Sequence, residues 1–250
     1  MKNMLRVNNL KISSDKKILV NGIDFEIKKN QILSIIGQSG SGKSLTATAI
    51  MGLLPETLNK SGEIILNGKN IMQLKDKEIS KIRMKEMAMI YQNPFNCLVP
   101  VMTIEKQLKY IYKIQELPYD TNRIRTLMDE VSLPLEYLKK YSFELSGGEL
   151  QRIVILMSML FKPNLLICDE PTTALDSETG FRIINLIKNL KDEYGMSVLF
   201  ISHDLQLAEI IADKVMIMQE GNIIEHGDAK DIYNSPKEDY TKELLEASKF

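Results

Sequence analysis

Eight residues with the spacing of a phosphate-binding loop stand early in the chain. Gly37 to Ser44 reads GQSGSGKS, which matches G-x-x-x-x-G-K-S. The segment 32–36 before it is an apolar run, and the segment 45–54 after it can continue as a helix. Glycines let the backbone curve around a phosphate, so that successive N–H groups and the start of the next helix face it. Lys43 would then neutralise the β- and γ-phosphates, and the Ser44 hydroxyl would bind Mg²⁺.

A Gly/Ser-rich turn that precedes a lysine by chance is the alternative to this phosphate loop. The flanking strand and helix argue against it, because the pattern predicts a phosphate site only between a strand and a helix. The residues that we expect to bind the phosphates of a nucleotide are Gly37, Gln38, Ser39, Gly40, Ser41, Gly42, Lys43 and Ser44.

Two adjacent carboxylates follow a second apolar run. Residues 165–170 read LLICDE, so Asp169 and Glu170 stand at the end of a strand that the pattern predicts to be buried. Asp169 could reach a metal ion beside Ser44, and Glu170 could polarise a water toward the γ-phosphate. Ordinary strand-end polarity is the alternative, and the presence of the phosphate loop in the same chain argues against it.

A second phosphate-binding surface is suggested by residues 145–149, LSGGE, which we call the signature loop. An apolar helix follows it as far as Phe161. A serine and two glycines at a helix start offer a hydroxyl and free N–H groups to an anion. The residues alone do not say whose phosphate is bound, and a flexible turn with an N-cap remains the alternative.

The elements that would position these residues alternate between strands and helices. Short bounded apolar runs predict strands at 87–91, 165–168 and 198–201, as in parallel sheets buried on both faces. From Pro94 to about residue 146 a helical period replaces them, which predicts a helical insertion. The remaining predictions are strands at 4–12, 22–28 and 61–68, helices at 76–85, 103–114, 121–131 and 178–194, and a hairpin at 214–226.

Composition disfavours several classes of function. The 250 residues include 32 Lys and Arg against 33 Asp and Glu, with no Trp, so nothing indicates a nucleic-acid surface. Cys97 and Cys168 are far apart and have no nearby His, which argues against a disulfide framework or a zinc site and fits a reducing, cytoplasmic compartment. No apolar run approaches the roughly 18–20 residues of a membrane span. Any membrane connection is therefore expected through a partner.

These motifs occur in the order found in the ATP-binding subunits of ABC transporters, and the resemblance covers nearly the whole chain. The matching segments are the phosphate loop, Gln92 at a strand end, the signature loop, LLICDE at 165–170, Ala174-Leu175-Asp176 and Ser202-His203-Asp204. The resemblance implies an α/β fold, with a P-loop NTPase core, an antiparallel β subdomain and an inserted α-helical subdomain. It implies one domain over 1–250, with its core in 1–93 and 147–250 and the insertion at about 94–146.

The resemblance also implies roles. Glu170 would orient the attacking water, His203 would contact the γ-phosphate, and Gln92 would sense the water and Mg²⁺. Mg²⁺ would be held by Ser44, Gln92 and Asp169. Family dimers are head to tail, so Ser146, Gly147, Gly148 and Glu149 would bind ATP in trans, with Asp176 at the dimer interface. Two subunits would bind two ATP, close, and push on membrane partners beside the helical insertion.

Two further segments resemble the peptide/nickel importer branch of the family. They are YQNPF with PVMTI at 91–104, and the tail IYNSP with YTKELL at 232–245. The branch usually has P-x-H-P-Y-T in the tail, whereas this chain reads PKEDYT at 236–241 and lacks the cysteine-rich extension of many peptide-transport members. The chain therefore looks more like the nickel or metal-chelate type. A dipeptide or oligopeptide importer is the alternative.

The implied partners follow from this branch. They are a second, paralogous ATPase subunit, two transmembrane permease subunits and, indirectly, an extracytoplasmic solute-binding protein, with no nucleic acid. The implied location is the cytoplasmic face of the cell membrane, where the chain would be peripheral.

Two other classes of function remain to be weighed. An ABC-type ATPase of DNA repair or of the ribosome would be indicated by long coiled coils, zinc clusters or two ATPase units, and the sequence shows none of these. A regulatory module that binds nucleotide without hydrolysing it is disfavoured by Glu170 and His203. A turnover assay with the partners present separates that module from an ATPase.

One departure from the family generates a prediction about nucleotide choice. The family usually has an aromatic residue upstream of the phosphate loop that stacks on adenine, but the corresponding segment 11–15, KISSD, has none. Stacking of a base on an aromatic ring is worth about 1–3 kcal/mol. We therefore expect weak discrimination between ATP and GTP, measured by competition for binding. A strong preference for ATP would contradict this and would mean that another group contacts the base.

Overall fold

A computed structural model describes residues 3–247 and arranges them around two β-sheets. The strands, in chain order, are β1 (Asn3–Ser13), β2 (Ile18–Lys28), β3 (Ile32–Ile36), β4 (Asn59–Leu66), β5 (Lys69–Asn70), β6 (Met87–Ile90), β7 (Leu165–Asp169), β8 (Ser197–Ser202), β9 (Lys214–Gln219) and β10 (Asn222–Asp228). The helices are α1 (Lys43–Ile50), α2 (Asp76–Ile82), α3 (Ile104–Ile114), α4 (Thr121–Glu130), α5 (Gly147–Ser158), α6 (Ser177–Tyr194), α7 (Leu205–Ile211), α8 (Ala229–Asn234) and α9 (Asp239–Ala247). The ends of the predicted domain, 1–2 and 248–250, lie outside the described residues.

The larger sheet brings four strand ends to one edge. Its order is β10-β9-β3-β8-β7-β6, and all neighbours are parallel except β9 and β10. Strands β3, β6, β7 and β8 are buried along their whole length, which explains their continuous apolar runs. The register pairs Ile36 with Ser202, and Asp169 with Ile201. The segments that follow these strands therefore leave the sheet side by side.

The smaller sheet, β2-β1-β4-β5, is antiparallel and lies against the phosphate loop. The Asn21 amide donates to Gly221 O at 2.8 Å, and the Gly221 amide donates to Ser41 O at 3.0 Å. Gly42 has a φ of +103°, and a Cβ there would lie 3.0 Å from Leu19 O. Only glycine suits that position, because the left-handed backbone and the close strand both exclude a side chain.

Residues 94–146 form α3, α4 and short 3-10 turns between β6 and α5. Ile104, Leu108 and Leu127 from these helices belong to one hydrophobic cluster with Ile153 of α5 and Leu166 of β7. The inserted helices are therefore packed onto one face of the larger sheet through α5. Apolar contacts of this kind transmit displacements, because protein interiors are close-packed.

Three predicted helices end three or four residues earlier than the sequence indicates. The helix after the phosphate loop ends at Ile50 rather than at residue 54, α2 ends at Ile82 rather than at residue 85, and α5 ends at Ser158 rather than at Phe161. Gly52 turns the chain with a φ of +63°, and Arg83 is extended so that its guanidinium donates to Met51 O at 2.9 Å and Gly52 O at 2.6 Å. One arginine thus caps α1 at the point where α2 must stop. The predicted hairpin at 214–226 is confirmed as β9 and β10.

Candidate functional site

The phosphate loop follows β3 and is closed by its own lysine. Lys43, whose side chain is buried, donates from Nζ to Gly37 O at 2.7 Å and to Gln38 O at 2.9 Å. Burial lowers the pKa of Lys43, and the nearby charges of Glu170 and Asp169 oppose that shift. Two carbonyl oxygens of the phosphate loop therefore hold the ammonium group against the loop, and it places a positive charge where an anionic phosphate would be bound.

The Ser41 hydroxyl supplies a second sign that this loop fits an anion. Within residues 3–247 its Oγ is one of the few buried side-chain oxygens with no hydrogen-bond partner. Buried hydroxyls are normally satisfied, and an unpaired one calls for an explanation. A phosphate oxygen beside the loop would accept a hydrogen bond from this hydroxyl.

A hydroxyl and a carboxylate meet beside the loop. The Ser44 Oγ donates to Asp169 Oδ1 at 2.9 Å, although the two residues come from α1 and β7. Burial raises the pKa of Asp169, and the Ser44 hydrogen bond and the Lys43 charge oppose that shift. Hydroxyl and carboxylate oxygens are the ligands that Mg²⁺ takes together with phosphate oxygens. The donor set therefore fits the predicted metal.

Three side chains converge on one oxygen of Glu170. Gln92 Nε2 donates to Glu170 Oε2 at 2.9 Å, Thr173 Oγ1 donates to the same atom at 3.0 Å, and His203 Nδ1 lies 3.2 Å from it. Glu170 has a φ of +50°, a conformation that is uncommon for a residue with a side chain. Such strain often occurs at functional sites. The carboxylate is thereby held in one orientation at the mouth of the phosphate loop.

Thr173 is a member of this group that the sequence reasoning missed. It stands three residues after Glu170, and its hydroxyl reaches the carboxylate because the chain turns back after β7. A cavity of about 530 Å³ contains Thr173 together with Lys43, Gln92, Glu170 and His203. The structure thus brings the phosphate loop and the three predicted catalytic side chains, Gln92, Glu170 and His203, into one site.

The signature loop lies outside that cavity. Ser146 caps α5, and its backbone N–H and its hydroxyl both donate to Glu149 Oε2 at 2.8 Å. A hydrogen bond from Tyr137 and those from Ser146 lower the pKa of Glu149 against the effect of burial. Gly147 and Gly148 line a separate cavity of about 570 Å³ with Ser146, Glu149 and Asp176.

Asp176 caps the next helix from the same cavity. Its carboxylate accepts the Thr179 amide at 2.9 Å, and this hydrogen bond lowers the pKa of the exposed Asp176. The structure therefore does not bring Asp176 or the signature loop to the phosphate loop of the same chain. No helix within residues 3–247 has the length and apolar character needed to cross a bilayer.

The sequence pattern of the family described as ABC transporter matches residues 20–173. The metal-staphylopine import system ATP-binding protein CntD of Staphylococcus aureus (strain Mu50 / ATCC 700699) is 39% identical over 92% of this chain and 87% of its own length. The oligopeptide transport ATP-binding protein OppD of Bacillus subtilis (strain 168) is 38% identical over 90% of this chain and 65% of its own length.

Solved structures agree with the fold. The cbiO1 structure from Clostridium perfringens, part of the ABC transporter complex cbiONQ, has a TM-score of 0.83 at 26% identity and covers 94% of this chain and 92% of its own. The ATP-binding cassette MJ0796 bound to ADP and Pi has a TM-score of 0.78 at 25% identity and covers 90% of this chain and 99% of its own. The predicted α/β ABC ATPase fold is confirmed. This chain belongs to the ABC transporter family, as one of the ATP-binding subunits that hydrolyse ATP to drive transport.

Proposed function

We propose that this chain is the ATPase subunit of an importer that takes up nickel or a metal chelate across the cytoplasmic membrane. The similarity to CntD, whose name describes metal-staphylopine import, supports this cargo class. The alternative is a dipeptide or oligopeptide importer, supported by the similarity to OppD and to DppD of Bacillus subtilis (strain 168), which is 37% identical. The catalytic roles that we propose for the site residues depend above all on one observation, the convergence of three side chains on Glu170 Oε2.

The proposed hydrolysis reaction uses these groups in order. Lys43 and the amides of the phosphate loop bind the β- and γ-phosphates. Glu170 accepts a hydrogen bond from a water and draws its proton as the water oxygen attacks the γ-phosphorus. The bond between the γ-phosphorus and the bridging oxygen breaks, and Lys43 stabilises the charge left on the β-phosphate. His203 contacts the γ-phosphate as its charge is redistributed.

Metal binding is proposed for the same edge of the sheet. Ser44, Gln92 and Asp169 would hold Mg²⁺, which would neutralise part of the phosphate charge when bound. The Ser44–Asp169 hydrogen bond supports this, because two oxygen ligands already lie within reach of one ion. Gln92 has an amide oxygen to offer while its nitrogen contacts Glu170.

A complete site is proposed to need a second subunit. Within the described chain the signature loop and the phosphate loop line separate cavities, which supports a head-to-tail dimer with Ser146, Gly147, Gly148 and Glu149 acting in trans and Asp176 at the interface. We propose a paralogous ATPase as that subunit. The complex would include two permease subunits and, indirectly, a solute-binding protein, at the cytoplasmic face of the membrane and without nucleic acid.

We also propose the domain division that the family resemblance implies. One ATP-binding domain would occupy 1–250, with its core in 1–93 and 147–250. The permease subunits would be engaged through the groove beside the insertion, at about 94–146.

The buried carboxylate of Asp169 generates a stability prediction. The raised pKa of Asp169 means that folding disfavours its ionised form. The resulting loss of folding stability is absent in acid, where the carboxyl is protonated in both states. It develops as the pH rises from the unfolded-state pKa through the folded-state pKa. Asp169→Asn should therefore stabilise the nucleotide-free protein by about 1 kcal/mol at neutral pH, with the gain shrinking in acid. Urea unfolding at several pH values measures this.

The same variant tests the metal site. Mg²⁺ with ATP should stabilise the wild type in urea, and the Mg²⁺-dependent part should be lost in Asp169→Asn. The control is Asp192→Asn, whose side chain is 60% exposed and should leave both properties unchanged. Full Mg²⁺-dependent stabilisation of Asp169→Asn would contradict the assignment of Asp169 as a ligand.

Replacing the proposed base separates binding from turnover. Glu170→Gln should bind ATP, form a closed dimer with its partner subunit, and lose turnover by at least about 100-fold. Phosphate release and light scattering measure the two properties, and the exposed Glu193→Gln serves as the control. Turnover at the wild-type rate would contradict the role of Glu170, and an active purified homodimer would count against a paralogous partner.

Uptake by cells tests the cargo. A strain deleted for this gene should lose nickel uptake, the wild-type gene should restore it, and the Glu170→Gln gene should not. Unchanged nickel uptake in the deleted strain would contradict a metal cargo. Loss of growth on short peptides in the same strain would then favour the peptide importer.

A further inference from the structure

The C-terminal helix α9 contacts the phosphate loop. The Gln38 amide donates to the Tyr240 hydroxyl at 3.4 Å, across more than two hundred residues of sequence. The Gln38 N–H belongs to the same peptide unit as the Gly37 carbonyl, and that carbonyl accepts the Lys43 ammonium at 2.7 Å. One peptide unit is therefore held by Tyr240 at its N–H and by Lys43 at its C=O.

Bonds at the two ends of a peptide reinforce one another. A hydrogen bond to the N–H polarises the amide and makes its carbonyl a better acceptor, and the converse also holds. The start of this unit is fixed by packing, because a Cβ on Gly37 would lie 2.1 Å from Met218 O. With Gly37 pressed against β9, the Tyr240 hydroxyl fixes how the next peptide plane is turned toward Lys43.

The helix that carries Tyr240 is anchored by a buried carboxylate on β10. Glu225, 9% exposed, accepts the Lys237 amide at 3.0 Å and the Glu238 amide at 3.2 Å. Burial raises the pKa of Glu225, but the hydrogen bonds from the two amides and the charge of Lys237 oppose that shift, and the net effect is a lowered pKa. An ionised carboxylate thus fixes the segment that leads into α9.

Apolar packing completes this anchorage. Tyr240 and Leu244 pack against the cluster that contains Ile36, the last residue of β3 before the phosphate loop. The position of Tyr240 is therefore set by the strand that delivers the loop it contacts. A rigid support of this kind is what keeps a binding group in its productive geometry.

We infer that Tyr240 is a positioning residue of the nucleotide site, whose hydroxyl orients the Gly37–Gln38 peptide and through it Lys43. This inference rests on the proposed role of Lys43 in phosphate binding. Tyr240 touches neither nucleotide nor water in this role. It pre-orders the loop, and pre-ordering a binding site increases affinity by reducing the cost of immobilising it.

Binding of MgADP to the full-length chain tests the inference. ADP has no γ-phosphate, so changes at His203 and Glu170 do not enter the result. Tyr240→Phe removes only the hydroxyl, and it should weaken MgADP binding about 3- to 10-fold in calorimetric titration. The matched control is Tyr233→Phe, which removes a hydroxyl that donates to Leu205 O at 2.7 Å in the same C-terminal segment. It should change MgADP affinity by less than about two-fold.

Hydrogen exchange supplies a readout that general destabilisation would not reproduce. In the nucleotide-free protein the Gln38 amide should exchange faster in Tyr240→Phe than in the wild type, and it should be unaffected in Tyr233→Phe. Equal MgADP affinity in the wild type and Tyr240→Phe would overturn the role of Tyr240 and leave the proposed nucleotide site intact. Equal losses of affinity in Tyr240→Phe and Tyr233→Phe would overturn it in the same way. Failure of the wild type to bind MgADP would overturn the proposed nucleotide site, and this inference with it.

Discussion

The parallel alignment of β3, β6, β7 and β8 is the constraint on which the rest of the structure depends. Because these strands end at one edge, residues from four distant parts of the chain meet there as soon as the sheet has formed. The Ser44–Asp169 hydrogen bond spans 125 positions of sequence and is a direct product of this alignment. The same edge receives Gln92 from the end of β6 and His203 from the end of β8.

Two opposite charges, those of Lys43 and Asp169, lie buried at this edge of the sheet. Burial alone disfavours the ionised form of each. Each charge offsets part of the cost of burying the other, since the charge of Asp169 opposes the pKa shift of Lys43 and the charge of Lys43 opposes that of Asp169. A ligand that carries both phosphate charge and a metal ion should therefore stabilise this site, because the phosphate can pair with Lys43 and the metal ion with Asp169. The nucleotide-free protein therefore gives up stability at the place where it is proposed to bind ATP.

Sequence reasoning reached most of this site for physical reasons. Apolar runs identify buried parallel strands, and polar residues at their ends, such as Asp169, must then lie at one edge. What it missed depends on contacts that are not periodic. The early end of α2 follows from Arg83 reaching back to cap α1, and Thr173 joins Glu170 through a local turn. Tyr240 could be matched to a family tail, but its contact with Gln38 exists only once α9 is packed beside β3.

The position of Gln92 bears on how hydrolysis could reach a membrane partner. Its side chain contacts Glu170, and the chain then enters a 3-10 turn capped by Asn93, whose side chain accepts the Phe95 amide at 3.0 Å. Phe95 is 52% exposed and Val101 is 84% exposed, so an apolar surface begins within a few residues of the proposed base. We expect that movement of the Glu170 carboxylate during a reaction would displace Gln92 first, through their hydrogen bond. The 3-10 turn would then transmit this displacement to the exposed apolar surface. This path involves only the nucleotide site and the exposed surface beside it, so the proposed coupling is the same for a metal chelate and for a peptide, and we expect the choice between them to lie in other subunits.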